Sequence, residues 1–264
     1  MKPIILVTND DGIDSPGLWA AAHAVSDLGE LLIVAPMFQQ TGMARSFPKS
    51  EDVGKIRKVI RRIGDHDVVA YGVHGSPAQA VAYGVLELCP RLPDLCISGI
   101  NYGENLGLSV TCSGTLGACF EADSHGIPSI AFSIQAALDD QHSSDFKAID
   151  WDPIRRIVEK ITRHRMIEGF PKDISIFNVN IPNHADDSTE VRMTRQGRSN
   201  YSVFIKPEPR DFDSSYPLKT RMDVALSTTD PSSDIYALFF DHVVSVTPLS
   251  WDLSYRYFVD VQKK

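Results

Sequence analysis

Short apolar runs alternate with helix-period stretches through the first two thirds of the chain. Ile4–Val7 is a compact, β-branched run suited to a strand covered on both faces. Ser15-Pro16 then opens a helix predicted through about Leu28. Serine can satisfy the first free amides, and proline at the first helical position has no N–H to lose. Leu31–Ala35 reads as the second strand. The same start signal recurs at Ser76-Pro77, before Ala78–Leu88, and in related form at Asp152-Pro153, before Ile154–Arg165. Between them lie the strand candidates Val68–Val73, Leu95–Ser98, Ser129–Ser133 and Ile174–Ile181. Repeated strand–helix–strand order predicts an α/β fold, a mostly parallel sheet with helices on both faces.

After Pro182 the pattern changes. Residues 184–240 are rich in Asp, Ser, Pro and Arg and show little periodicity; His242–Thr247 reads as a last strand and Asp252–Val261 as an apolar–polar tail. A stretch of that length without clear elements is unusual inside a compact domain. The expected division is therefore a core of residues 1–183 and an extension of residues 184–264 that packs on the core and on a partner subunit. Phe204, Phe212, Tyr216, Trp251 and Tyr255 are its scattered apolar side chains.

Composition narrows the function. At 43% hydrophobic and 23% charged over 264 residues, the chain can bury a full core without metal or disulfide. Its formal net charge of −8 disfavours a sequence-independent grip on nucleic acid or on anionic lipid. Cys89, Cys96, Cys112 and Cys119 form no C-x-x-C pair and are expected to be buried, reduced thiols. Ile4–Val7 is too short for a secretory apolar segment, and no stretch reaches the ~18 apolar residues of a membrane span. A cytoplasmic location without membrane contact is expected.

The candidate chemistry lies in polar loops after buried strands, where parallel α/β sheets gather ligands. Asp10 and Asp11, after the first strand, are adjacent carboxylates whose mutual repulsion a divalent cation would relieve. The alternative is that one acid caps the following helix and the other is solvated. Thr41 and Asn101 offer a hydroxyl and an amide oxygen, neutral hard donors that suit Mg²⁺ or Mn²⁺ better than zinc. The glycine-rich loop Gly99–Gly107 is neither G-x-G-x-x-G nor a Walker loop, and no G-x-S-x-G elbow is present. Ser113-Gly114-Thr115 at a helix start is either a plain cap or a phosphate seat.

These residues carry a resemblance. Ile5-Leu6-Val7-Thr8-Asn9-Asp10-Asp11-Gly12-Ile13 with Ser15-Pro16-Gly17, the loop from Ser98-Gly99-Ile100-Asn101 to Asn105-Leu106-Gly107, Ser113-Gly114-Thr115, Phe177–Pro182 and Val244–Leu249 together resemble the SurE family, the survival-protein nucleotidases. The resemblance implies a Rossmann-like core, a C-terminal part exchanged between subunits of a homodimer or homotetramer, and a metal-dependent 5′-nucleotidase of acid-phosphatase type, with 3′-monophosphates as further substrates. It implies one Mg²⁺ or Mn²⁺ ion per subunit on Asp10, Asp11, Thr41 and Asn101, with Asp10 and Asp11 catalytic. Asn9, Gly42, Asn105, Ser113, Gly114 and Thr115 would bind the nucleoside monophosphate. Arg45, where the family commonly has Asn, would either add a bidentate phosphate contact or stand as a solvent-exposed surface arginine. Met37, Arg45, Gln79 and Leu108-Ser109 depart from the family pattern and bear on substrate range. A non-enzymatic metal- or nucleotide-binding homologue, or a phosphatase for other esters or short polyphosphate, are the alternatives.

Overall fold

A computed structural model describes residues 2–141 and 143–254. In the first half, β1 (Ile4–Thr8), α1 (Pro16–Val25) and β2 (Glu30–Pro36) follow the predicted order. All five residues of β1 are buried, as its unbroken apolar run requires. A hairpin then intervenes: β3 (Ile56–Ile63) pairs antiparallel with β4 (His66–Val73). Sequence pattern predicted only the second of these strands. The chain continues through α2 (Pro77–Tyr83), β5 (Leu95–Tyr102), α3 (Gly114–Ser124), β6 (Ser129–Ile134), α4 (Trp151–Glu168) and β7 (Ile176–Ile181). The predicted helix to Leu88 closes early at Tyr83 and finishes in a single π turn, Gly84–Leu88.

Nine strands form one sheet in the order β3-β4-β2-β1-β5-β6-β7, then β11 (Val244–Leu249) and β8 (Val191–Met193). All neighbours are parallel except β3 with β4 and β7 with β11. Helices α1 and α4 pack together over one face and α2 with α3 over the other, each pair closing its own apolar cluster. The fold is thus the mostly parallel, doubly covered α/β sheet that the sequence predicts.

The Ser-Pro starts are realised differently. Ser76 and Gln79 form a reciprocal capping box, whereas Ser15 makes no side-chain cap bond. At α1 the chain instead passes so close to β5 that a Cβ on Gly17 would stand 2.0 Å from the Ile100 carbonyl oxygen. Helix α4 begins two residues before Pro153 and is capped by Asp150.

The C-terminal residues add β8 and β11 to the sheet, a short helix α5 (Asp234–Phe239), and an antiparallel ribbon of β9 (Ser202–Phe204) and β10 (Thr220–Met222). Tyr255 and most of the predicted tail to Val261 lie outside the described residues. Of the four thiols, Cys96 and Cys119 are buried as expected and Cys89 is half-buried, but Cys112 is exposed, because it closes the turn before α3 at the surface. No helix among the described residues is long and apolar enough to cross a membrane.

Candidate active site

From β1 the chain passes through α1 to β2 on one side, and later through α2 to β5 on the other. The loops that follow β1 and β5 therefore part at their carboxyl ends and leave a crevice, the place where open α/β sheets bind ligands. The end of β5 is tied to the loop after β1: the Tyr102 N–H donates to Asp11 Oδ2 at 3.1 Å.

The loop after β1 is shaped by Asn9. Its Oδ1 accepts from the Gly12 N–H at 3.2 Å, and its Nδ2 donates to the Gly12 carbonyl at 3.0 Å. Gly12 has φ of +100°, where a side chain would be strained. Asn9 thus spends its amide on the turn. Asp10 receives two supports: the Thr115 hydroxyl donates to its Oδ1 at 2.7 Å, and the Gln40 N–H donates to its backbone oxygen at 2.7 Å.

Both acids are interior, Asp10 3% and Asp11 4% exposed, so neither is solvated, and α1 has no side-chain cap. The reading that pairs one cap with one solvated acid therefore fails. Burial pushes the Asp10 carboxyl up from its ordinary 3.8 to about 6, against the lowering effect of the Thr115 hydroxyl. Asp11 is likewise raised, first by burial and then by the charge of Asp10 beside it. Two carboxylates held this way need a counter-charge to ionise together.

The oxygen donors fit a hard cation. Asp11 Oδ1 and Thr41 Oγ1 are buried with no hydrogen-bond partner. Asn101 Nδ2 donates to the Gly103 carbonyl at 2.6 Å, which leaves its Oδ1 uncommitted. Two carboxylates, a hydroxyl and an amide oxygen make an all-oxygen donor set suited to Mg²⁺ or Mn²⁺. A grouping of three or more His, Cys, Asp or Glu side chains, as zinc would favour, is absent among the described residues.

One cavity of about 310 Å³ takes in Asp10, Thr41, Gly42, Asn101, Asn105 and Ser113. Gly114 and Thr115 stand directly behind Asp10; a Cβ on Gly114 would lie 2.7 Å from Asp10 Oδ2. Ser113 caps α3, accepting from the Leu116 N–H at 3.1 Å, so the positive end of the helix points toward the acids. Asn105 is fixed from several sides: its Nδ2 donates to Ser133 Oγ at 2.9 Å, its N–H to Asn180 Oδ1 at 2.7 Å, and its carbonyl accepts from Asn178 Nδ2 at 2.7 Å. A larger depression of about 680 Å³ sits at the opposite, amino ends of β2 and β4, near Lys2, His23 and Asp67, far from these donors.

Arg45 is not brought to the cavity. Its Nε donates to Glu121 at 2.8 Å, two turns along α3. Met37 is a core side chain against Gly72, and Gln79 completes the α2 capping box while donating to the Pro48 carbonyl at 3.0 Å. Two of the departures from the family pattern are therefore absorbed in packing and capping.

Several contributors escaped sequence reasoning. Glu104 is buried at the cavity edge, accepts from the Ala136 N–H and from Gln141 Nε2, and takes the Tyr201 hydroxyl on its carbonyl. Asp234, at the start of α5, accepts from the N–H groups of Gly107 and Gly197 at 3.0 and 2.8 Å. It braces the glycine loop from the C-terminal region. The available signal was Ser233-Asp234 standing before the apolar run Ile235–Phe239.

Residues 5–203 match the family model described as survival protein SurE. The 5′-nucleotidase SurE of Methanosarcina acetivorans is 36% identical over 268 residues, covering 100% of this chain and 98% of the relative. That of Methanothermobacter thermautotrophicus is 42% identical over 204 residues, 76% of each. The crystal structure of the SurE protein from Aquifex aeolicus superposes with a TM-score of 0.70 at 32% identity, over 96% of this chain and 95% of the other.

Proposed function

The chain belongs to the SurE survival-protein family, and from that footing we propose that it is a 5′-nucleotidase that depends on a divalent metal ion and also accepts 3′-monophosphates. The supporting observation is the buried Asp10–Asp11 pair beside Thr41 Oγ1 and Asp11 Oδ1, buried oxygens that no protein group satisfies.

Asp10, Asp11, Thr41 and Asn101 would hold one Mg²⁺ or Mn²⁺ ion per subunit. When bound, the ion supplies positive charge to the transferring phosphoryl group and acidifies water. Asp10 orients the attacking water and takes its proton; the Thr115 hydroxyl keeps Asp10 in place for both tasks. Ser113 and Gly114, at the positive end of α3, would present hydroxyl and amide donors to the phosphate oxygens and stabilise charge as the ester bond breaks. Asn105 and Thr115, whose donors are spent on Ser133, Asn180 and Asp10, would hold the wall of that seat. Glycine at 114 lets the helix start lie against Asp10. The nucleoside would extend along the cavity toward Tyr201 and Phe204. Gly42 leaves the rim of the cavity open, since nothing lies within 4 Å of where its Cβ would be.

A homodimer or homotetramer is proposed on the same footing, supported by exposed apolar side chains of the C-terminal region, among them Phe204 and Phe212. Phosphate release from a panel of nucleoside 5′- and 3′-monophosphates, sugar phosphates and short polyphosphates, with Mn²⁺, Mg²⁺ or neither, tests the assignment. Metal-stimulated hydrolysis of nucleoside monophosphates is expected. Preference for another ester class, or binding without turnover, contradicts it.

A further inference from the structure

Arg45 stands where the family commonly has Asn, and a phosphate contact is expected of it, yet its guanidinium is engaged elsewhere. Its Nε donates to Glu121 Oε2 at 2.8 Å, and the guanidinium lies over the Trp251 ring at 5.1 Å. The Arg45 side chain is 39% exposed and that of Glu121 only 6%, so the arginine is the cation that covers an interior carboxylate on α3. The other oxygen of Glu121 faces His125 Nε2 at 3.2 Å.

The same segment touches α3 at two more places. The Ala44 N–H donates to the Cys112 carbonyl at 3.2 Å, just before the helix. Gly117, one turn into the helix, lets the Ala44 carbonyl approach so closely that a Cβ there would be 2.0 Å from it. Ala44 itself has φ of +47°, a left-handed conformation costly for a residue with a side chain, which persists only where the surroundings fix it. The segment that carries Thr41 is thus strapped along α3, the helix whose start backs Asp10.

We propose that Arg45 is a positioning residue: by pairing with Glu121 it locks residues 41–45 onto α3 and so sets the Thr41 hydroxyl relative to Asp10. The inference rests on the metal-site reading given above, in which Thr41 is a donor. Partners that orient a metal ligand commonly affect metal affinity by about ten- to hundredfold. A direct phosphate contact would act instead on substrate affinity, at every metal concentration.

The test uses the full chain, with Mn²⁺ binding followed by calorimetry in the absence of substrate, and inhibition by inorganic phosphate measured at saturating Mn²⁺. Arg45→Met should raise the Mn²⁺ dissociation constant by about tenfold and speed amide exchange at Ala44, while phosphate inhibition shifts by much less. Glu121→Gln, which removes the charge at the other end of the pair, should shift Mn²⁺ affinity in the same direction. Arg45→Lys should recover part of the loss, and Arg163→Met, at a surface pair with Glu159, should change nothing. Wild-type Mn²⁺ affinity in Arg45→Met, or a loss confined to phosphate affinity, overturns the positioning role and leaves the metal site standing. A wild-type chain that binds no Mn²⁺ overturns both.

Discussion

The Thr115 hydroxyl donates a 2.7 Å hydrogen bond to Asp10 Oδ1, tying the start of α3 to the end of β1. Hydrogen bonds to charged groups contribute about 1.5–3 kcal/mol. Thr115→Val keeps the shape and removes the donor, so kcat/KM should fall by roughly ten- to hundredfold and the melting temperature by several degrees. Activity within a factor of two of wild type would show that Asp10 needs no such anchor.

Asp10 also sets a pH dependence in the metal-free protein. Its folded carboxyl holds a proton up to about pH 6, against 3.8 ordinarily. The unfolded chain releases that proton first, so stability from this group is complete below pH 3.8 and is lost as pH rises to about 6. The loss is on the order of 3 kcal/mol, and Asp11 adds to it with the same sign. Urea denaturation of the EDTA-treated chain should show lower stability at pH 7.5 than at pH 5. Asp10→Asn should flatten that difference, make the metal-free protein more stable at pH 7.5, and abolish turnover. An unchanged slope, or more than about a tenth of wild-type activity, contradicts the role given to Asp10.

Gly114 is required by space. A methyl group there would meet Asp10 Cβ and Oδ2 at 2.7 Å, inside any real contact distance. Gly114→Ala should cost about 1–3 kcal/mol of stability by overpacking and remove most of the activity, because Asp10 is the atom group displaced. Kinetics and thermal melts of the purified variant decide it; a fully active variant would show that the helix start can retreat without harm.

Phe204 and Phe212 are 70% and 88% exposed, and Leu253 is 87% exposed, more apolar surface than a C-terminal region of this size would leave to water. Light scattering should give at least twice the 29.2 kDa of one chain. A 29.2 kDa particle at working concentration removes the association between subunits.

Much of this organisation can be read from the chain itself, for identifiable reasons. Strands β1, β5 and β6 are buried along their whole length because both faces are covered, which leaves a readable apolar run in each, and Ser76-Pro77 and Ser113-Gly114 carry their own start chemistry. Asp10 and Thr41 are legible because each follows a buried strand, and Asn101 because it lies at the carboxyl end of one. Strand β3 is not: Arg57, Lys58, Arg61 and Arg62 break its alternation, as charges do on strands at the edge of a sheet. The turn at Gly64-Asp65 was its only marker. Arg45, Glu104 and Asp234 act through partners 76, 32 and 127 residues away, a separation that local pattern cannot register.

The claim on which the rest depends is that Asp10, Asp11, Thr41 and Asn101 hold a divalent cation that turnover requires. It is tested most directly by stripping the protein with EDTA and following phosphate release from a nucleoside 5′-monophosphate during Mn²⁺ titration, with Mn²⁺ binding measured in parallel. The stripped protein should be inactive, and activity should return in step with the occupancy of one site per subunit. Hydrolysis at the full rate without metal, or Mn²⁺ binding that leaves the rate unchanged, would contradict it.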